Sequence, residues 1–271
     1  MLGERFRARA LFRGLILFGL LLGGCAATGA DGEEEYDSGV RDPLETVNRL
    51  MFAVNLAADA IIIRPAAEFY RFAVPAPGRD ALRNFVRNLT SPVILANDLF
   101  QGEFGRAGTT TKRFFLNTTI GLGGLLDVAT GMGHEYHDED FGQTLGSYGV
   151  GGGIYLVLPV LGPSNLRDAF GTGVDFFLDP LNTWARNTNR DAIPLGRLAA
   201  EGIDLRARNI ETIDELQKSS LDFYAAVRSL YKQTRDSAIR NGAPPPLPDI
   251  SYYGPRRPPG EFAAARPTAP E

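Results

Sequence analysis

Cysteine, histidine and tryptophan are almost missing from this chain: 271 residues hold one Cys, two His and one Trp. A single cysteine excludes any disulfide within one chain, so the fold must hold by packing and hydrogen bonding. Two histidines, His134 and His137, leave few ways to build a histidine-based metal or catalytic centre. Positive charge is not in excess either. Lys and Arg number 28 against 32 Asp and Glu, a net charge of −4, so the basic field that nucleic-acid binding needs is absent. Long apolar runs are scarce beyond the N-terminal leader. Met51 to Ile63 and Ile154 to Leu161 come nearest, and both fall short of the ~18–20 residues that cross a bilayer as a helix. The alternating ten-residue strands of a membrane barrel are also absent. The expectation is a chain that, if it enters lipid, enters one leaflet without crossing.

What is present begins with the one cysteine. Arg5, Arg7, Arg9 and Arg13 precede an apolar run from about Leu15, which closes in Leu22-Gly23-Gly24-Cys25. A basic start, a short apolar stretch and a small-residue boundary mark an export signal. A cysteine at the first mature position resembles a lipobox, in which the thiol is acylated and becomes the new N-terminus. Residues 1–24 thus read as a lipoprotein signal peptide with Cys25 as the lipidation site. Each buried acyl CH₂ contributes ~0.8 kcal/mol, so two or more chains give lasting attachment. Ala26 is not the Asp that resembles an inner-membrane retention signal, which points to the periplasmic face of the outer membrane of a Gram-negative bacterium.

Residues 25–41 are small, acidic and polar and read as a tether. Half of the eighteen prolines lie beyond Gly242, so residues 241–271 read as a disordered, Pro-rich tail. The 44% apolar content must then build one domain over residues 42–240. Its pattern is mainly helical. Val47, Leu50, Met51, Val54, Ala58, Ile61 and Ile62 follow i, i+3, i+4 spacing, with Phe52, Leu56 and Ile63 on the remaining side. A helix apolar nearly all round is buried in a core or in lipid, and Pro65 limits this one. A second stripe runs through Leu82, Phe85, Val86 and Leu89, and Ser91-Pro92 reads as the start of a third helix ending at Gly102. A fourth spans about Ala107 to Ile120. Gly121 to Gly124 and Gly149 to Gly153 flank an acidic stretch around His134, and Ile154 to Leu161 reads as an apolar hairpin or irregular loop. Ser164 is placed as the cap of a helix ending before Asp179-Pro180. Two amphipathic helices follow, about Ala199 to Lys218 and Leu221 to Arg240, closed by Asn241-Gly242.

No catalytic constellation, cofactor loop or metal site emerges. The glycine runs starting at Gly121 and Gly149 carry Leu126 and Ile154 at the sixth position, so neither is GxGxxG. Around Ser147 the nucleophile-elbow pattern is broken by Leu145. His134 and His137 are three apart rather than the four of a zinc helix, and their acidic surroundings read as a solvated loop. Asp127, Asp168, Asp175 and Asp179 sit among apolar residues, where helix caps and buried ion pairs are the common explanation.

Several strings in order nevertheless resemble one family. They are Asp42-Pro43-Leu44-Glu45 with Asn48-Arg49-Leu50-Met51-Phe52; Asn84 to Pro92; Arg113 to Asn117 leading to Gly121–Gly124 and Asp127; Phe141 to Val150; Tyr155 to Pro159; Gly162-Pro163-Ser164; Arg167-Asp168; and Asp222 to Arg228 with Tyr231. Over residues 42–240, together with the lipobox, the chain is similar to the MlaA/VacJ family of outer-membrane lipoproteins. The resemblance implies a ring-like helical, monotopic domain with an amphipathic channel. It implies removal of mislocalised phospholipid from the outer leaflet, transfer to a periplasmic carrier of MlaC type, association with a trimeric porin, and no enzymatic step. A structural, porin-associated envelope lipoprotein is the alternative. Asn48, Arg49, Phe52, Asn117, Asp127, Arg167 and Asp168 are then structural motif residues. Gly142, Gly146, Tyr148, Gly149, Gly151, Gly152, Gly153, Tyr155 and Pro159 are the channel or gate candidates, within a proposed gate spanning Gly142–Pro163.

Overall fold

The structure is a computed structural model and describes residues 42–244. The expectations for the leader, Cys25, the tether and nearly all of the tail lie outside those residues. Within them the chain is mainly helical, as its periodicity predicts, with a single two-stranded hairpin.

The first helix is longer than expected. α1 (Glu45–Ala58) passes through a π-helical turn (Asp59–Ile63) into α2 (Arg64–Ala73) with helical backbone throughout. Pro65 does not end it. Proline lacks an N–H and its ring crowds the carbonyl one turn back, and the π turn widens the helix just where that carbonyl lies. Glu45–Ala73 thus forms a 29-residue rod, ~43 Å long at ~1.5 Å per residue. Its most apolar stretch has a mean hydropathy of 1.5 and is only 6% buried. The expectation that no segment is long enough to cross a membrane is therefore corrected: by length and composition this one is.

A second correction concerns Ser91-Pro92. They lie inside one helix, α3 (Ala76–Phe100), rather than at a start. Thr90 and Ser91 donate back to the carbonyls of Val86 and Arg87 at 3.1 and 3.2 Å, easing the bend that Pro92 imposes. Buried Val93 and Ile94 hold the continuation in place. Gly102, at φ +75°, turns the chain into α4 (Phe104–Thr119), which packs along α3. A one-turn α5 (Val128–Gly131) is capped by Asp127, and α6 (Phe141–Ser147) by Asp140.

β1 (Tyr155–Leu158) and β2 (Gly162–Asn165) pair antiparallel, Tyr155 opposite Asn165 and Leu158 opposite Gly162. α7 (Leu166–Leu178) is capped by Asn165, whose Oδ1 accepts the Asp168 amide at 2.8 Å. Ser164, expected as that cap, is instead a residue of β2. α8 (Pro180–Asn187), unforeseen in the sequence, starts at the Asp179 cap. The expected helix over 199–218 begins earlier and is divided at Asn209 into α9 (Ala192–Arg208) and α10 (Ile210–Ser219). α11 (Phe223–Ile239) closes the fold, with Asn241 and Gly242 at positive φ behind it.

The partition of side chains is inverted relative to a water-soluble protein. Two small apolar clusters form the core: Ala67, Ala207 and Ile210, and Tyr155, Val157 and Tyr224 with Met51, Phe52 and Tyr231 packed against them. Polar residues outnumber apolar ones among the buried, while Ile61, Phe72 and Phe104 are 74%, 88% and 74% exposed.

Candidate functional site

The hairpin is held by two amides from the apolar helix. Asn48 and Asn55, two turns apart on α1, face the free edge of β1. Asn48 Nδ2 donates to the Tyr155 carbonyl at 3.0 Å and its Oδ1 accepts the Val157 amide at 2.9 Å. Asn55 repeats the pattern at the turn, donating to the Leu158 carbonyl and accepting the Val160 amide, both at 2.9 Å. Each side chain replaces one rung of a missing third strand. Between the strands, Val160 has φ +67°, strained for a β-branched residue. Leu161, next to it, lines a cavity.

That cavity has a volume of about 650 Å³. Its lining joins apolar residues, Val93 of α3, Leu161, Phe176 of α7, and Leu195 and Leu198 of α9, to acidic ones, Asp138, Glu139, Asp140, Asp175, Asp179, Asp191 and Glu201. The acidic stretch is not the solvated loop its composition predicts. Glu139 is buried, bonded by Gln101 and Arg106 at 2.7 and 2.6 Å. His137 Nε2 lies 3.0 Å from Asp98 and 3.1 Å from the Thr110 hydroxyl. Asp138 has exposed surface, but it lines this cavity and a second one of about 250 Å³ between α3 and α9. Desolvation raises the carboxyl pKa values of Asp138, Glu139, Asp175 and Glu201, with neighbouring carboxylates adding to it.

One of the acidic lining residues, Asp140, belongs to a charged clamp. The Arg235 guanidinium holds both Asp140 oxygens at 2.6 Å and reaches Asp168 at 2.7 Å. Asp168 also accepts from Arg167 and Asn165 at 2.9 Å and from the Tyr231 hydroxyl. Burial alone would raise the Asp168 carboxyl, but the bonds from Arg167, Arg235 and Tyr231 bring it below the usual carboxylate range. Gly142 and Gly171 are the contact point of α6 and α7; a Cβ on Gly171 would lie 2.4 Å from the Gly142 nitrogen.

The motif residues foreseen in the sequence all have tertiary roles. Arg49 bonds Glu45 at 2.7 Å and Asp222 at 2.5 Å, tying α1 to α11. Phe52 packs 5.5 Å from the rings of Phe223 and Tyr224. Asn117 and Asp127 brace α4 to α5 through a 3.1 Å bond, with Arg113 at 3.0 Å from Asp127. Arg167 donates to the Val150 carbonyl at 3.0 Å, anchoring the glycine-rich segment.

The gate candidates are scattered. Tyr155 is buried in the aromatic core, its phenol pushed up to about 12 by burial, and it does not touch the cavity. Tyr148 is exposed and donates to the Phe100 carbonyl. Gly142 and Gly146 sit at close approaches, a Cβ on Gly146 meeting Ile239 at 2.9 Å. Gly152 packs on Asn165, Gly149 and Gly153 adopt positive φ, and Gly151 borders open space. Pro159 is exposed at the hairpin turn. The Ser147 hydroxyl donates to the Thr144 carbonyl at 2.8 Å, while His137 is taken up by Asp98 and Thr110, so the two do not meet. Asn55, Asp138 and Arg235 were not singled out from sequence. Asn55 carried a readable signal, an amide two turns from Asn48 in an otherwise apolar helix.

Comparison with known proteins matches residues 40–238 to the family model of the MlaA lipoprotein. A curated relative from Escherichia coli (strain K12), the intermembrane phospholipid transport system lipoprotein MlaA, is 39% identical over 82% of this chain and 86% of its own length. Its namesake from Haemophilus influenzae is 32% identical over 84% and 89%. A solved structure presented as the structural basis for maintenance of bacterial outer membrane lipid asymmetry superposes with a TM-score of 0.67. It has 37% identity and covers 73% of this chain and 99% of that one.

Proposed function

The chain belongs to the MlaA lipoprotein family, and from that premise we propose that it removes mislocalised phospholipid from the outer leaflet of the outer membrane and passes it to a periplasmic carrier of MlaC type. It is a lipoprotein of intermembrane phospholipid transport. Anchoring through Cys25, a seat beside a trimeric porin and a ring-like placement within one leaflet complete the reading.

The observation that carries it is the inverted partition around an amphipathic cavity. Apolar side chains face outward, where acyl chains can cover them, and the cavity is lined by apolar and acidic residues together. Moving a headgroup through hydrocarbon costs several kcal/mol or more unless a polar route shields it, and the acidic part of the lining supplies such a route. No bond is made or broken.

The long helix favours lying in the leaflet over crossing it. Asp59 bonds Arg206 at 2.8 Å, Arg64 bonds Asp214 at 2.8 Å, and Arg71 bonds Glu211 at 2.7 Å. Those contacts tie the second half of the rod to α9 and α10. A crossing orientation would carry ion pairs to membrane depth, whereas an in-plane one offers exposed apolar side chains such as Leu50, Ile61, Ile62, Phe69 and Phe72 to the lipid.

The hairpin turn is the moving part in this reading, since Leu161 borders the cavity and, among the described residues, the hydrogen bonds from the turn to α1 all come through Asn55. Pinning it with a disulfide between Asn55→Cys and Val160→Cys tests the gate. Outer-leaflet phospholipid should accumulate in cells carrying the oxidised pair and clear on reduction. Unchanged removal with the turn fixed would sink the gating idea.

A further inference from the structure

Resting on the transport reading above, we propose that the 650 Å³ cavity is a binding site for a zwitterionic phospholipid headgroup, with Arg186 and Arg197 taking the phosphate and Asp138, Asp175 and Asn182 taking the ammonium.

The argument starts from groups the fold leaves unanswered. Arg197 uses Nη2 on Asp179 at 2.5 Å, yet its Nη1 is buried with no hydrogen-bond partner. Arg186 lies over the rings of Phe176 and Phe177, and its Nε is likewise unpartnered. Both residues line the cavity, and two guanidinium groups with a donor to spare fit an anion such as a phosphodiester once a small side-chain shift turns those donors toward it. Asn182, also on the wall and 5% exposed, donates to the Phe176 carbonyl at 3.3 Å but leaves Oδ1 buried with nothing bonded to it. That atom accepts only.

The carboxylates complete the complement. Glu139, Asp140 and Asp179 each hold an arginine at hydrogen-bond distance. Asp138 and Asp175 have none within ion-pair reach among the described residues. Asp175 accepts only from Asn97 and from the Phe141 amide, both at 2.9 Å, and Asp138 from the Tyr136 hydroxyl at 3.3 Å. Asp140 repels both of them, so an incoming ammonium relieves the pair. A metal ion is the poorer fit, because no three His, Asp or Glu side chains among the described residues converge as ligands. The volume suits a headgroup and the start of its chains, and the apolar part of the lining continues the fit toward glycerol and acyl carbons. An anionic headgroup without an amine would satisfy the arginines but leave the acids opposed.

Full-length acylated protein in nonionic detergent, equilibrated with equimolar dioleoyl-phosphatidylethanolamine, -phosphatidylcholine and -phosphatidylglycerol and then repurified, gives the test by mass spectrometry of retained lipid. Phosphatidylethanolamine should lead and phosphatidylglycerol trail by about tenfold, or ~1.4 kcal/mol. Phosphatidylcholine should fall between, since its quaternary amine carries charge but no N–H for Asn182. The pair Asp138→Asn and Asp175→Asn should bring the outer ratio near one. The wild-type ratio is read directly, so a variant that misfolds does not shield the claim. Equal retention, or a preference for phosphatidylglycerol, overturns the inference and leaves transport standing. No retained phospholipid at all removes both. Displacement of bound lipid by deacylated glycerophosphoethanolamine at equal concentration would overturn the lipid as the ligand's source.

Discussion

Replacing Asn48 should cost more stability than its single side chain implies. The residue is 2% exposed and makes three bonds: to Asp42 at 2.7 Å, to the Tyr155 carbonyl at 3.0 Å and from the Val157 amide at 2.9 Å. Tyr155 and Val157 are themselves 2% and 5% exposed, so water cannot take over. Loss of the amide leaves the Tyr155 carbonyl and the Val157 amide unsatisfied at ~1–3 kcal/mol each, so Asn48→Ala should lose about 4 kcal/mol. For a domain of this size that lowers the thermal midpoint by roughly 10 °C. Asn48→Asp is the sharper probe. It keeps the shape and the acceptor for Val157, but sets a second carboxylate oxygen against the Tyr155 carbonyl and the Asp42 carboxylate. It should be at least as damaging as alanine. Thermal unfolding in detergent, followed by circular dichroism, reads both. An Asn48→Asp protein within 1 kcal/mol of wild type, by the same conversion, would refute the claim that the amide works as a strand edge.

Gly171→Ala should destabilise by about 2 kcal/mol or more, because its Cβ would meet the Gly142 backbone at 2.4 Å, whereas Gly173→Ala on the same helix opens onto free space and should gain ~0.5–1 kcal/mol; urea midpoints would separate them. Val160→Asn should stabilise by ~1 kcal/mol in the same assay, since Asn tolerates the φ of +67° that strains Val. Acidification should act in two opposite phases. Asp138, Glu139, Asp175 and Glu201 titrate above their unfolded values, so stability rises as pH falls toward about 4; Asp127, Asp140 and Asp168 titrate below theirs, so stability is lost as pH falls further. Midpoints measured across that range should show a maximum that flattens in Asp175→Asn, and a steady decline from neutral pH would count against the buried acidic wall.

Helix content and the hairpin were legible because each rests on local chemistry: periodicity and turn residues. The errors came where distant contacts overrule a local rule. Pro65 and Pro92 read as boundaries, yet a π turn absorbs the first and buried Val93 and Ile94 carry the helix past the second. The acidic stretch read as solvated because its arginine partners, Arg106 and Arg235, lie far away in the sequence. Asn48 and Asp168 were picked out by motif, but their roles depend on groups such as Tyr155 and Arg235 that the sequence cannot pair with them. Tyr155 read as a channel lining because a conspicuous aromatic beside glycines is ambiguous between a wall and a core until the fold is known.

The most direct test of the transport account is the amount of phospholipid in the outer leaflet, read by its access to an external phospholipase in cells lacking this gene. Complementation with wild type and with Cys25→Ala would run alongside. The account predicts a rise on deletion that only the acylatable form reverses. No change on deletion would favour a structural envelope lipoprotein, and a fall would reverse the direction of transport; either would contradict it.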